Sequence, residues 1–281
     1  MSERIAIEIA AGVADVRLVR ADKLNALDPP MFEGLLLACE RLAKEPSLRA
    51  VVLSGEERAF CAGLDMGRFA TTKQGGDFKD IEKRTHGISN TFQYVVYGWR
   101  ELCVPVVAAV HGVAFGGGFQ LMLGADIRLV APDTRMSIME VKWGLVPDMA
   151  GTALMRTLAR DDVIRELTYT GRIFSAQEAL AYGFATRISE DPHTEALALA
   201  REIATKSPDA IQGTKRLLNI AASSDSATSL LAEAVEQAKL IGSPNQIEAV
   251  KSNLEKRAAL FADPDSAATA LWTPRDDTER K

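Results

Sequence analysis

Apolar residues alternate with polar ones at the start of the chain. Ile5, Ile7 and Ile9 are two residues apart, and a second apolar run follows at 13–19. Side chains two residues apart lie on one face of a strand, so this pattern predicts a β-hairpin. Apolar residues then recur at helical spacing after Asp28, and an aspartate followed by prolines is typical of a helix N-terminus.

Four short apolar segments further along predict buried strands. They cover 49–53, 105–110, 126–130 and 135–139. Helical patterns separate most of them, and strands that alternate with helices indicate an α/β fold with a mainly parallel sheet and crossover helices. The polar and charged segment 66–90 predicts a loop that acts as a lid and continues into a helix.

The pattern changes near residue 190, where the signals for strands stop. Helices are predicted at 195–205, 208–221, 226–240 and 244–261. The chain is therefore expected to comprise an α/β core at 1–190, an all-helical C-terminal region at 191–262 and a tail at 263–281.

Composition excludes several classes of protein. The 281 residues are 47% hydrophobic and 25% charged, as in ordinary globular proteins. No apolar run approaches the roughly 18 residues that a membrane span requires, so no membrane partner is expected. A net charge of −5 without a basic patch argues against nucleic-acid binding.

The cysteines and the N-terminus indicate a cytoplasmic protein. Cys39, Cys61 and Cys103 are odd in number and widely spaced, which is unlike a disulfide framework or a zinc cluster. No group of His, Cys and Asp residues has the spacing of metal ligands, so no metal is expected. The first residues carry neither the apolar segment of a signal peptide nor an arginine-rich transit segment.

Two glycine-containing loops each follow a predicted strand. They cover 60–65 and 111–120, and the second contains the triplet Gly116-Gly117-Gly118 before a short helix. The free N–H groups at the start of that helix favour a developing negative charge, so one N–H from each loop could form an oxyanion hole. A purely structural explanation of the triplet is that it allows the helix to pack closely against the sheet.

Two carboxylates follow in the next segment. Glu140 ends a predicted strand, and Asp148 lies eight residues later, before a predicted helix. Each has an ordinary structural explanation, since Asp148 could cap that helix and Glu140 could belong to a buried ion pair.

Taken together, these segments resemble the enoyl-CoA hydratase/isomerase (crotonase) superfamily. The A-G-x-D loop, the glycine triplet and the E-x3-G-x2-P segment occur in the family's order and spacing. Further matching segments are 170–172, 175–179, 183–185 and 255–257. The resemblance covers most of the chain.

The resemblance implies a crotonase-like ββα spiral core with a C-terminal all-helical trimerisation region, assembled as a homotrimer or a dimer of trimers. It implies an acyl-CoA thioester as the substrate, with coenzyme A as part of that substrate and no other cofactor. The backbone N–H groups of Ala62 and Gly117 would hold the thioester oxygen and stabilise an enolate. The CoA would lie along Ala62, Gly63, Leu64 and Asp65, with Lys23 near its nucleotide end.

The carboxylate pattern distinguishes among reactions of the family. Hydratases use two glutamates, of which the second matches Glu140 while the first matches Gln120, and an amide cannot transfer protons. Water addition is therefore expected to be slow. Dienoyl-CoA isomerases are similar in carrying an aspartate where Asp148 stands, although they usually have a third acidic residue at the position of Gln120.

The best hypothesis is thus a dienoyl-CoA-type double-bond isomerase, with Asp148 as the base for a distal carbon and Glu140 as the acid near C2. A hydratase, in which Glu140 adds water to a 2-enoyl-CoA, is the main alternative. A single-base isomerase, a hydrolase and a non-catalytic acyl-CoA-binding protein are the others.

Overall fold

The computed structural model describes residues 4–69 and 81–264. Contacts divide the chain into two compact units, 1–204 and 205–281, so the boundary lies beyond the one expected at residue 190. Part of the predicted lid, and most of the predicted tail, lie outside the described residues. Within the described chain, no helix is both long enough and apolar enough to cross a membrane.

A six-stranded sheet forms the framework of the first unit, as far as the described residues go. The strands, in spatial order, are β1 (Ile5–Ala10), β2 (Val13–Leu18), β3 (Ala50–Gly55), β4 (Val106–Val110), β6 (Ile127–Val130) and β9 (Arg187–Ile188). β1 and β2 form the predicted antiparallel hairpin, and all later pairs are parallel. The predicted α/β fold with a mainly parallel sheet is confirmed.

A small second sheet lies next to the glycine loops. It consists of β5 (Val113–Phe115), β7 (Arg135–Ser137) and β8 (Phe174–Ser175). β5 pairs with β7 in parallel, and a single bridge joins Ala114 to Cys61. This sheet therefore brings the two glycine-containing loops side by side.

Helices cover both faces of the large sheet. The helices of the first unit, in its described part, are α1 (Pro29–Ala43), α2 (Met66–Phe69), α3 (Thr91–Glu101), α4 (Gly117–Leu123), α5 (Gly151–Met155), α6 (Asp161–Thr170), α7 (Ala176–Tyr182) and α8 (Pro192–Ala204). Val51 and Leu53 of β3 pack into the larger core with α1, α3 and α4, whereas Val52 faces α8. α8 presents the small residues Ala196 and Ala200 to the sheet, and this contact assigns it to the first unit.

The second unit consists of helices in its described part. They are α9 (Pro208–Ala221), α10 (Ser226–Leu240) and α11 (Pro244–Leu254). Arg216 of α9 and Glu236 of α10 form a buried ion pair at 2.7 Å, which Lys239 extends. Large apolar side chains remain exposed on this unit, including Leu230, Leu231 and Leu254. Trimerisation through this region stays a prediction.

The start of α1 confirms the signal read at Asp28. The buried Asp28 carboxylate accepts a hydrogen bond from Met31 N–H at 3.0 Å, as an N-cap does. Its other oxygen receives Arg4 at 3.1 Å and lies 3.4 Å from Arg20. The cap and the two cations tie the hairpin, the loop after it and α1 together.

Replacing Asp28 by alanine should lower the free energy of unfolding by about 3 kcal/mol, because it removes the helix cap together with one counterion of the Arg4 and Arg20 guanidinium groups. Asp28→Asn should cost less, since an amide oxygen can still cap the helix. Urea denaturation followed by circular dichroism measures both. The exposed Asp133→Ala provides a matched control, and equal stability of the two alanine variants would contradict this account.

Candidate active site

A cavity of about 300 Å³ lies in the first unit between the two glycine loops and the segment that follows β7. Glu140 and Asp148 both line it, together with Gln120. The rest of its wall is mostly apolar and includes Phe32, Leu64, Phe92, Phe115, Trp143, Leu145 and Met149. The cavity thus combines an apolar wall with a small group of polar side chains, as ligand sites commonly do.

Backbone hydrogen bonds fix the first loop, and they also contradict one prediction. Ala62 N–H donates to the Leu24 carbonyl at 2.9 Å, so it is not free for a thioester oxygen. Leu27 instead forms backbone hydrogen bonds with the residues on either side of Leu64. Its carbonyl accepts from Asp65 N–H, and its own N–H donates to the Gly63 carbonyl. In such a bridge the N–H of the central residue points away from the partner strand.

On the first loop it is therefore Leu64, and not Ala62, whose backbone N–H group is left available to a ligand. Its N–H has no acceptor within the part of the chain that the structure describes, and the residue lines the cavity. Gly117 is the first residue of α4, so its N–H has no acceptor in the helix. A Cβ built on Gly63 would lie only 3.4 Å from the Gly117 nitrogen, which shows how closely the two loops approach.

Both the packing of α4 and the position of its first N–H group explain why glycines occur in the triplet. Gly116 has a φ of +49°, a conformation that side chains disfavour. A Cβ on Gly118 would lie 2.2 Å from the Cys61 carbonyl oxygen, and one on Gly117 would lie 2.8 Å from Met149 Sδ. Close packing of α4 thus requires the glycines, and the same packing brings the N–H of Gly117 to the cavity.

Glu140 opens a short 3-10 turn, Glu140–Trp143, and its side chain is buried. Oε1 accepts a hydrogen bond from Gln120 Nε2 at 2.6 Å, whereas Oε2 is buried without a partner among the described residues. Burial raises the pKa of Glu140, and the Gln120 hydrogen bond opposes that rise while the nearby Asp148 adds to it.

Asp148 does not cap the helix that follows it. The N-cap of α5 is Ala150, and it supplies no side-chain cap. Asp148 is instead an exposed residue that lines the cavity, and partial desolvation of its carboxyl group raises its pKa. The structural explanation of Asp148 as a helix cap is therefore wrong.

Both the oxygen and the nitrogen of the Gln120 amide form hydrogen bonds within the site. Its Oε1 accepts from Met149 N–H and Gly151 N–H, both at 2.9 Å, while its amide nitrogen donates to Glu140. The residue is 1% exposed. The sequence placed Gln120 in the site as a substrate-binding residue at the position of a missing glutamate, but it did not reveal these hydrogen bonds, because the two backbone donors come from a segment about 30 residues away in the chain.

The remaining predicted residues lie around the first loop. The Asp65 carboxylate accepts from Arg20 at 2.7 Å, so this side chain anchors the loop. Lys23 is exposed on the 3-10 turn Ala21–Lys23. Cys61 is buried and its burial raises the pKa of the thiol to about 12, which makes it a packing residue and not a nucleophile.

Comparison with known proteins agrees with this geometry. The family model described as enoyl-CoA hydratase/isomerase matches residues 8–264. The chain belongs to the enoyl-CoA hydratase/isomerase family. The crotonase resemblance and the crotonase fold predicted from the sequence are confirmed.

Relatives within the enoyl-CoA hydratase/isomerase family differ in their named reactions. The mitochondrial Delta(3,5)-Delta(2,4)-dienoyl-CoA isomerase of Homo sapiens is 34% identical over 72% of this chain and 64% of its own length. The carnitinyl-CoA dehydratase of Proteus mirabilis is 31% identical over 77% of this chain and 80% of its own. The chain thus spans slightly less than two thirds of the human relative.

A solved structure of the same family, the enoyl-CoA hydratase from Bacillus anthracis, superimposes with a TM-score of 0.86. It is 26% identical, and the match covers 93% of this chain and 100% of that one. Isomerase, dehydratase and hydratase names all occur among the relatives, so the choice of reaction depends on the site itself.

Gly118→Ala should destabilise this family member by at least about 2 kcal/mol, because the added methyl group would overlap the Cys61 carbonyl. Gly67→Ala is the matched control, since a Cβ there meets Asp65 Oδ1 at an ordinary 3.5 Å. Thermal and urea denaturation of both variants measure the difference. A Gly118→Ala protein as stable as Gly67→Ala would show that the loops can move apart freely.

Proposed function

We propose that the protein is an acyl-CoA enzyme that moves the double bonds of a 3,5-dienoyl-CoA to the 2,4 positions. The observation that carries this proposal is that Glu140 and Asp148 line one apolar cavity beside the free N–H groups of Leu64 and Gly117. Two proton-transfer groups and an oxyanion site are what this isomerisation needs. The dienoyl-CoA isomerase name of one relative adds support.

The thioester oxygen would accept hydrogen bonds from Leu64 N–H and Gly117 N–H. Such donors stabilise the enolate that forms when a proton leaves the acyl chain, and each is commonly worth about 10²–10³ in rate. The CoA moiety would follow residues 62–65 toward Lys23. We also propose that the enzyme is cytoplasmic and assembles as a homotrimer or a dimer of trimers.

Glu140 is the group nearest the thioester end. A Cβ on Gly116 would lie 3.4 Å from Glu140 Oε1, so the carboxylate lies beside the glycine triplet. Oε2 has no hydrogen-bond partner among the described residues, so it is the oxygen left to take up a substrate proton. In a 3,5-dienoyl-CoA the acidic proton is at C2, and Glu140 would remove it to give an enolate conjugated through the two double bonds.

Asp148 would then return a proton at the far end of the conjugated system. Protonation at C6 leaves double bonds at C2 and C4: the substrate gives its C2 proton to Glu140 and receives one from Asp148, and proton exchange with solvent water then restores both carboxyl groups for the next turnover. In this direction Glu140 is the base and Asp148 the acid, which reverses the roles first inferred from the sequence. The earlier roles describe the opposite direction of the same reaction.

The environments of the two carboxyl groups suit these roles. Glu140 receives the Gln120 hydrogen bond, which favours its ionised form. Asp148 has no side-chain donor among the causes of its raised pKa, so burial favours its protonated form. A base and an acid in one cavity are expected to differ in this manner.

A hydratase remains the second candidate, because the free Oε2 of Glu140 could also hold a water molecule. The weakness of this candidate is Gln120, whose amide cannot act as a general acid or base and whose oxygen already accepts from two N–H donors. A non-catalytic acyl-CoA-binding protein would have no use for the buried carboxyl group of Glu140, which costs stability.

A paired assay on the purified protein tests the reaction. With 3,5-dienoyl-CoA we expect formation of the 2,4-dienoyl chromophore, and with 2-enoyl-CoA little 3-hydroxyacyl-CoA. Glu140→Gln and Asp148→Asn should each reduce isomerisation by at least about 10²-fold, because each removes a proton-transfer group. Asp133→Asn is the control. Fast hydration that survives Asp148→Asn would establish the hydratase instead.

The pH dependence of kcat/KM should be bell-shaped. From 3,5-dienoyl-CoA the reaction needs ionised Glu140, so the rate falls as pH drops through the raised pKa of Glu140, above the ordinary value of 4.5. It also needs protonated Asp148, so the rate falls as pH rises through the pKa of Asp148, which is raised from 3.8. A rate that stays constant down to pH 4.5 would argue against Glu140 as the base.

A further inference from the structure

The hydrogen bonds of Gln120 link the two carboxylate-bearing segments. Its amide nitrogen lies 2.6 Å from Glu140 Oε1, and its oxygen accepts from Met149 N–H and Gly151 N–H. Met149 directly follows Asp148 in the chain. A single side chain on α4 therefore holds Glu140 on one side and the Asp148 segment on the other.

The two backbone donors determine the orientation of the amide. Because N–H groups can bond only to the oxygen of Gln120, the NH₂ group must face Glu140. Glu140 Oε1 then always acts as an acceptor, and the proton that Glu140 gains must go to Oε2. The geometry thus separates a positioning oxygen from a reacting oxygen within one carboxyl group.

The backbone around Ala150 is shaped for this contact. Ala150 has a φ of +64°, in the left-handed region, and the N–H groups on either side of it converge on one oxygen. Gly151 leaves no space for a side chain, because a Cβ there would lie 2.6 Å from Gln120 Oε1. A non-glycine residue in this conformation costs free energy, so the surrounding structure, including the two hydrogen bonds to Gln120, must hold it there.

We propose that Gln120 is a positioning residue that holds Glu140 and the Asp148 segment in one hydrogen-bonded unit and directs proton transfer to Glu140 Oε2. Only the part of this inference that concerns the transferred proton rests on the proposed function. The side chain acts through Glu140 and is not itself a catalytic residue, since its oxygen accepts from two backbone N–H groups, its nitrogen donates to Glu140, and an amide cannot transfer protons.

Two substitutions separate the anchoring oxygen from the donating nitrogen. Gln120→Met is of similar length and removes both. Gln120→Glu keeps an acceptor for Met149 N–H and Gly151 N–H but replaces the donor to Glu140 by a second carboxyl group. Gln212→Met, at a buried glutamine in the second unit, controls for the general cost of losing a buried amide.

The titration of Glu140 can be followed without substrate. Infrared difference spectra between each protein and its Glu140→Gln counterpart isolate the carboxyl band of Glu140. Asp148 is the other titratable group among the described residues that line the cavity, and it is present in every pair.

We expect the midpoint to rise by about one pH unit in Gln120→Met, because the ionised form loses its donor. It should rise in Gln120→Glu as well, because two adjacent carboxyl groups share a proton. Gln212→Met should leave it unchanged. For isomerisation we expect kcat to fall by about 10²-fold in Gln120→Met, with KM within about threefold, because misplacement affects the transition state most.

An unchanged Glu140 midpoint in both Gln120 variants would overturn the positioning role. A purely structural role would lower the melting temperature of Gln120→Met and leave that midpoint where it is in the parent. Absence of isomerisation by the parent protein would instead overturn the proposed function, and the infrared titration would still decide the role of Gln120.

Discussion

Direct contact between two loop backbones determines the geometry of this site. The loop at 61–65 and the start of α4 approach so closely that a Cβ on Gly118 would overlap the Cys61 carbonyl, and one on Gly63 would overlap the Phe115 carbonyl. Because the sheets fix both loops, the free N–H groups of Leu64 and Gly117 are held in place before any ligand arrives. Preorganised donors need no rearrangement as charge develops, which is the condition for effective oxyanion stabilisation.

The second constraint is electrostatic. An apolar cavity that contains two carboxyl groups favours their neutral forms, whereas proton transfer needs one of them ionised at the outset. Desolvation raises the pKa of both carboxyl groups, and at Glu140 the side-chain hydrogen bond from Gln120 opposes that rise. The same amide fixes the spacing between their segments, so charge and geometry are set by one side chain.

The sequence predicted those features that depend on local patterns. The hairpin, the parallel strands and the Asp28 cap follow from spacing and from residue type over a few positions. The match to family motifs also identified Gly117 and Glu140 as site residues, and both line the cavity. Ala62 failed as an oxyanion donor because its N–H is taken by Leu24, a partner nearly 40 residues earlier that no local pattern reveals.

Asp148 and Gln120 also have roles that local sequence patterns do not reveal. An aspartate shortly before a helix is an ordinary capping signal, but α5 begins beyond Ala150, whose left-handed conformation turns the chain before the helix starts. That turn directs two N–H groups to Gln120 and leaves Asp148 in the cavity.

A glutamate at position 120 would keep the backbone contacts but put a second negative charge beside Glu140, and the two would have to share a proton. Glutamine avoids this coupling: it gives Glu140 a donor and supplies no second base for water. In the isomerase that we propose, the absence of a carboxylate at this position would therefore favour proton transfer along an acyl chain over the addition of water.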